Sequence, residues 1–373
     1  MPSAQRNRAE QSLISATDTV QRAGSSLAAT PGAFPEGPRL IADVGAFRMR
    51  CALEYAPRQY DGVSEFDTRD MFGLAEALQI YLKQVAPVRP AHAGVAISNP
   101  IDGDYVGMTN RDWAFSIESL RQTLGFTTLL VVNDFTALAM SLPYMGDAER
   151  MQVGPGLAQE NAVIGLLGPG AGLGISGLIP ANDRWITLGS EGGHASFAPG
   201  DSVELEVLRY AWKRFPHVSA ERLVSASGIR LIHEALVSSE GDGAPDEELI
   251  IAKGLAGEPC CRAVLECFCN MLGTIAADAA LNLGAMGGIY IGGEIVPRLG
   301  DFFLQSGFRR RFETKGRLSG YLEKIPTYLI SAKHAGFLGV SAILSEHLRH
   351  AEKISLIDLV RRRRESLSRA EQR

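Results

Sequence analysis

Apolar positions along the chain fall into short blocks separated by glycine, proline and polar turns, and their spacing changes from block to block. The stretch LIADVGAFRMRCALE, residues 40–54, carries two apolar runs around Gly45. It reads as a hairpin: one strand ends at Asp43, Gly45 makes the turn, and alternation resumes at Met49. Helical spacing follows in MFGLAEALQIYLKQV from Met71, then the apolar strand AGVAIS at 93–98, closed by the turn signal NPIDGD. FSIESLRQTLGF offers Ser116 as a cap ahead of apolar residues at helical spacing, and leads into the strand LLVVND and the helix FTALAMSLPYM. Strands alternating with helices in this order predict an α/β layer with parallel strands.

A second hairpin signal, AVIGLLGPGAGLGISGLI at 162–179, again sets two apolar runs around glycines, so two halves of related design are expected. Helical spacing dominates from about 201 to 284, and GGIYIGG at 287–293 reads as a further strand between glycine turns. The 373 residues suffice for two domains, each with its own core. Residues 1–38 are rich in Ala, Ser, Gly, Pro and Gln and read as a flexible leader without the apolar centre of a secretory signal. RRRRESLSRAEQR from Arg361 reads as a charged, solvated tail, and no span reads as long and apolar enough to cross a bilayer.

A net charge of −5 with 46% hydrophobic and 21% charged residues points to a globular protein without attraction to nucleic acid or an anionic membrane. A small neutral or anionic ligand is the expected partner. The five cysteines, Cys51, Cys260, Cys261, Cys267 and Cys269, lack paired C-x-x-C spacing, and four sit in a helical pattern, so buried thiols are expected. The seven histidines show no H-E-x-x-H, which argues against a structural metal. GPGAGLG, Gly168 to Gly174, does not contain G-x-G-x-x-G and lies between two strands where a dinucleotide site needs strand then helix. No G-x-x-x-x-G-K-[ST] occurs either. What remains is a pair of glycine hairpins whose backbone N–H groups face a polyphosphate from two sides, or two ordinary crowded turns.

The stretches VVNDFTALAMSLP, SEGGHASFAP and HVSAERLVSASGI closely resemble the bacterial glucokinase family. GMTNRDWAFSIESLRQTLGF and GGIYIGGEIVPRLGDFFLQSGFRRRFETKGR extend the resemblance over about 39–350. It implies an α/β protein of the actin-like ATPase (ribonuclease H-like) fold, two α/β domains with an interdomain cleft. The small domain would take residues 39–144 plus 332–355 and the large domain 145–331, with the leader 1–38 and the basic tail 356–373 outside. It also implies transfer of the γ-phosphoryl of ATP to the 6-hydroxyl of glucose with Mg²⁺, in a cytoplasmic, homodimeric enzyme of glycolysis with neither nucleic acid nor membrane as partner.

Carried over by position, Asp134 matches the catalytic carboxylate, a group that takes the proton of an otherwise weak alcohol nucleophile. The competing reading is that Asp134 only caps the helix that follows. Asn133, Glu191, His194 and Glu221 match ligands of the sugar hydroxyls. Asp43 matches the acid that opens the first phosphate hairpin and orients Mg²⁺ through water, and Gly45 the first turn glycine. Gly168, Gly170, Gly172 and Gly174 match the second phosphate hairpin, and Gly292 and Gly293 the turn near the adenosine.

The chain also departs from the family. Where glycine, threonine and asparagine usually follow the first hairpin glycine stand Ala46, Phe47 and Arg48. Ala171 replaces a threonine in the second hairpin, Pro169 contributes no N–H there, and KHAGFLG at 333–339 lacks the usual preceding Asn-Pro. These changes threaten phosphate binding. They leave as the alternative a glucose-binding regulatory protein with little or no kinase activity.

Overall fold

The computed structural model describes residues 32–45, 47–108, 112–182, 184–237 and 244–351. The tail 356–373, residues 1–31 of the leader, and Ala46 lie outside the described residues. The first half supplies β1 (Arg39–Val44), β2 (Arg48–Ala56), β3 (Gln59–Asp67), β4 (His92–Ile97), the short pair β5 (Tyr105–Gly107) and β6 (Ala114–Ser116), and β7 (Thr128–Asn133). The second supplies β8 (Arg150–Gln152), β9 (Ile164–Pro169), β10 (Leu173–Ala181), β11 (Arg184–Leu188), β12 (Ile289–Ile291) and β13 (Thr327–Ile330).

Five strands form one sheet in the order β3-β2-β1-β4-β7, and six form another in the order β11-β10-β9-β12-β13-β8. Each sheet contains an antiparallel meander of three consecutive strands whose first strand opens a parallel run, β1 pairing with β4 and β4 with β7 in one, β9 with β12 and β12 with β13 in the other, where β8 adds antiparallel to β13. The internal likeness of the two hairpin sequences is therefore a likeness of two sheets.

Strand β1 shows why its run reads as continuously apolar. Leu40, Ala42 and Val44 pack on one face with Leu74, Leu78 and Tyr81 of the helix Leu74–Gln84, while Ile41 packs on the other with Phe337, Val340 and Leu344. A strand covered on both faces has no solvent side to carry polar residues. The helix Ile117–Leu124 starts where Ser116 accepts the Ser119 N–H at 3.1 Å, and it ends on Gly125 in the left-handed region.

Two helices lie between the sheets. In Asp134–Ser141, Ala137 joins the cluster of Ile41 and Phe337, whereas Ala139 and Met140 join Ile164, Leu166 and Tyr290 of the second sheet. The helix that begins at 335 is divided in the same way, with Phe337, Val340 and Leu344 toward the first sheet and Ala335 and Leu338 toward the second. The far face of the second sheet is covered by the 25-residue helix Pro259–Leu283.

Several expectations are corrected. Helix Pro259–Leu283 is long and apolar enough to span a bilayer, with a mean hydropathy of 1.4, but 78% of that window is buried inside the fold. Its apolarity belongs to a core helix buried along most of its length. Cys260 on that helix is exposed, while Cys51, Cys261, Cys267 and Cys269 are buried and all five are free thiols. The end of the leader is built into the fold: Phe34 N–H donates to Tyr55 O at 2.9 Å and the Arg39 guanidinium lies 3.6 Å above the Phe34 ring. Asp134 is the first residue of its helix, so the expected strand LLVVND stops at Asn133.

Candidate active site

Parallel strands β1, β4 and β7 end side by side, and the residues at or just beyond their C-terminal ends carry the acidic groups, as expected for an open α/β sheet. Ser98 follows β4 and donates its N–H to Val44 O at 3.0 Å, tying the ends of β1 and β4 together. Its side chain also hydrogen-bonds the Asp134 carboxylate. Asp134 Oδ1 further accepts the Phe135 N–H at 2.7 Å and Asn133 Nδ2–H at 3.1 Å.

Asn133 takes the cap position that the competing reading gave to Asp134: its Oδ1 accepts the N–H groups of Phe135 at 3.0 Å and Thr136 at 3.1 Å. Its Nδ2 donates to Asn99 O at 3.3 Å as well as to Asp134. The carboxamide of Asn133 is thus committed within the protein, and a sugar hydroxyl reaching it must displace one of these bonds. Asp134 shares only the Phe135 N–H and leaves that of Thr136 to Asn133. Burial raises its carboxyl above the ordinary aspartate range, with Glu294 adding to the rise and the Ser98 and Phe135 hydrogen bonds opposing it.

Asp43 lies on the face of β1 that meets the helix beginning at 335. A Cβ on Gly336 would come within 2.8 Å of Asp43 Oδ2, so that glycine makes room for the carboxylate. Burial and the neighbouring Asp134 charge push Asp43 up to about 6, and Arg50 on β2 pulls it down. Two carboxylates thus share a poorly solvated space at the end of the first sheet.

On the second sheet, the hairpin β9–β10 turns through Gly170, Ala171 and Gly172, with Leu173 opposite Pro169 and Gly174 opposite Gly168. Gly170 N–H closes the turn on Gly172 O at 2.8 Å, and the N–H groups of Ala171 and Gly172 have no hydrogen-bond partner among the described residues. Pro169 sits in the strand rather than at the tip, so its missing N–H is not one of the tip donors. Glu221 Oε2 accepts the Leu173 N–H at 2.9 Å, and a Cβ on Gly172 would lie 2.5 Å from that oxygen. His194 stands 3.9 Å from Glu221 through Nδ1 and 3.9 Å from Glu191 through Nε2.

Three expected sugar ligands, Glu191, His194 and Glu221, therefore come together on short turns beside β10. The close approach of Gly193 to Leu173 O, where a Cβ has no room, explains the second glycine of SEGGH. The side chains of Glu191 and His194 are 85% and 60% exposed, so their polar ends are open to an incoming ligand. A cavity of about 190 Å³ lies behind this turn, lined by Ser190, Gly192, Ala195, Ala220, Asp278 and Asn282. None of the five expected catalytic and sugar-binding side chains lines it.

Gly292 and Gly293 follow β12, and Gly292 N–H donates to Leu167 O at 2.7 Å. Gly293 has a φ of +79° and a backbone so close to Pro169 that no side chain fits, which seats this turn directly against the second hairpin. The first hairpin is built differently. Gly45 N–H donates to Arg48 O at 2.8 Å, closing a tight turn with Phe47 65% exposed. Arg48 is also directed to solvent, 3.7 Å from Glu65.

Sequence reading missed Ser98, Phe135, Gly336 and Glu294. Ser98 was recoverable in principle as the residue ending an apolar parallel strand, where functional groups collect. Nothing in the pattern marked Phe135 as other than core.

The glucokinase family profile matches residues 40–347. Bifunctional protein glk of Paraburkholderia xenovorans is 50% identical over 94% of this chain, which spans 56% of that relative's length. A glucokinase of Chromobacterium violaceum is 50% identical, over 84% of this chain and 92% of its own. The crystal structure of a glucokinase from an Antarctic psychrotroph superimposes with a TM-score of 0.77 at 34% identity, covering 83% of this chain and 99% of its own.

Proposed function

The chain belongs to the glucokinase family and has its actin-like ATPase fold, and on that premise we propose that it transfers the γ-phosphoryl group of ATP to the 6-hydroxyl of glucose. The observation that carries this reading is the Asp134 carboxylate. It is held by Ser98 and by the Phe135 N–H at the start of its own helix, raised by burial, and Asn133 holds the N-cap position.

As the glucose oxygen forms its bond to the γ-phosphorus and the bond to the ADP oxygen breaks, the hydroxyl proton passes to Asp134. Glu191, His194 and Glu221 hold the sugar hydroxyls, with Asn133 orienting Asp134 and offering its amide in exchange. The unpartnered N–H groups of Ala171 and Gly172 suit the phosphates, and Gly292 and Gly293 seat the turn assigned to the adenosine directly against the same hairpin. Gly45 serves the first hairpin as a turn former, because its own N–H is used inside the turn.

The adjoining Asp43 and Asp134 carboxylates fit Mg²⁺, since a cation offsets both the burial of the Asp43 charge and its repulsion by Asp134. Bound with ATP through Asp43, it would offset the phosphate charge. The groups of the site come from both sheets, Asp43, Asn133 and Asp134 from the first and Glu191, His194, Glu221 and the second hairpin from the second, which supports two lobes, 39–144 with 332–355 and 145–331, facing each other across the site. A cytoplasmic homodimer acting in glycolysis completes the proposal. Phe47 and Arg48 both face solvent, which weakens the case for a non-catalytic glucose sensor.

The test is glucose 6-phosphate formation from ATP and glucose, with glucose binding measured calorimetrically on the same sample. Product abolished by Asp134→Asn is the expected result. Tight glucose binding without product, unchanged by that substitution, would refute the kinase reading.

A further inference from the structure

The glycines of the second hairpin are not equivalent. A Cβ on Gly168 would lie 2.5 Å from Phe135 Cε2 and 3.2 Å from its Cζ. On Gly174, the partner of Gly168 across the hairpin, it would lie 2.8 Å from Cζ and 2.9 Å from both Cε atoms. The two absent side chains form one notch, and the Phe135 ring fills it. Distances this short to a ring edge cannot be absorbed by a flexible side-chain end, because the notch is backbone and the ring is held beside Asp134 at the start of a helix.

Phe135 is also the residue whose N–H binds the Asp134 carboxylate at 2.7 Å. A single residue thus touches the proposed proton acceptor through its backbone and the proposed phosphate hairpin through its side chain. It stands in the helix that follows directly on β7 of the first sheet, whereas the hairpin belongs to the second sheet. We propose that Phe135 is a positioning residue that keys the catalytic carboxylate to the phosphate hairpin, and that Gly168 and Gly174 are glycine to receive its ring rather than to touch phosphate.

This rests on the kinase reading given above, and it deepens that reading by fixing how the two reacting groups keep their distance. In-line transfer depends on sub-ångström alignment of hydroxyl, base and phosphorus, so loss of the key should slow the chemical step far more than it weakens sugar binding. His194 stands 3.9 Å from both Glu191 and Glu221, and the hairpin holds this group through the Leu173 N–H on Glu221 rather than through Gly168 or Gly174.

The experiment is a double-mutant cycle of Phe135→Ala and Gly174→Ala in the full chain, read by kcat and by calorimetric dissociation constants for glucose and for the ATP analogue AMP-PNP. Phe135→Ala is expected to lower kcat about 30- to 100-fold with glucose affinity changed less than about threefold, and Phe135→Leu to recover part of the rate. Gly174→Ala alone should be at least as damaging, because the new methyl group meets the ring. In the double variant the methyl finds the space the ring vacated, so kcat should stand at least about tenfold above the product of the two single effects.

Multiplicative single effects, or a kcat for Phe135→Ala within about twofold of the parent, would overturn the proposal. Absence of glucose 6-phosphate from the unaltered protein would instead sink the kinase reading. The key would then be judged by AMP-PNP affinity across the same four proteins: non-multiplicative effects uphold it and multiplicative ones overturn it. If Phe135→Ala fails to fold, Phe135→Leu replaces it in the cycle with the same expectations at smaller amplitude.

Discussion

Replacing Asp134 by asparagine separates the two roles that a carboxylate at the start of a helix can have. The amide oxygen can still accept the Phe135 N–H, now at 2.7 Å, and the helix cap is supplied by Asn133 in any case. What disappears is the proton acceptor and one of two neighbouring buried charges. General-base assistance is worth about 10²–10⁴ in rate, which at about 1.36 kcal/mol per tenfold step corresponds to about 2.7–5.4 kcal/mol of barrier. The expected result is a fall in kcat of that size with little change in the glucose dissociation constant. The thermal midpoint should be unchanged or raised, because the Asp134 charge that adds to the effect of burial on Asp43 is removed.

The assay couples glucose 6-phosphate to a dehydrogenase, alongside calorimetry and a thermal melt. A pH profile adds a sign. A base must be ionised to act, so activity is present above its pKa and lost as the pH falls through it. Burial raises Asp134, so the acid limb of the parent enzyme should lie above the ordinary aspartate value of about 3.9. A variant keeping its rate to within tenfold, or one that melts several degrees lower, would refute the argument in favour of a structural role.

Glu54 is wholly buried, with Oε1 bonded by Ser341 and the Arg58 N–H, and burial raises its carboxyl. Between the ordinary glutamate value of about 4.3 and its raised value the folded state holds more protons than the unfolded, so stability declines as pH rises through that window. The urea midpoint of Glu54→Gln should therefore gain on the parent from pH 4 to 8, and a constant difference would contradict this. Glu221→Ala leaves the Leu173 N–H, on a residue only 4% exposed, without its acceptor, and should cost about 1–3 kcal/mol in urea unfolding as well as weakening glucose binding. Phe47→Thr should leave stability within about 0.5 kcal/mol, because the ring is solvated, while raising turnover if the hairpin tip closes over the phosphates. An unchanged kcat would show that the tip stays clear of them.

Much of the local structure was legible because single residues decide it. Ser116 and Gly125 bound a helix by capping chemistry that depends only on neighbours in sequence. The similarity of the two glycine hairpins foretold the matching order of the two sheets. The cap falls to Asn133 rather than to Asp134, the competing reading's choice, and sequence does not separate the two because Asn and Asp are both good caps and sit side by side. The long helix Pro259–Leu283 escaped notice as an apolar span because the residues that enclose it lie far away in sequence.

The chain by itself determined its alternation of strands and helices, its family, and the short motifs in which Asp134, Glu191, His194 and Glu221 stand, since periodicity, turn formers and motifs are local properties. Only the tertiary structure decided which groups share a space. Burial beside another carboxylate sets Asp43 near 6, Gly336 gives it room, and Phe135 fills the notch left by Gly168 and Gly174. Desolvation and contact depend on what the fold packs against a side chain, and those neighbours come from the opposite sheet or from a helix nearly three hundred residues away.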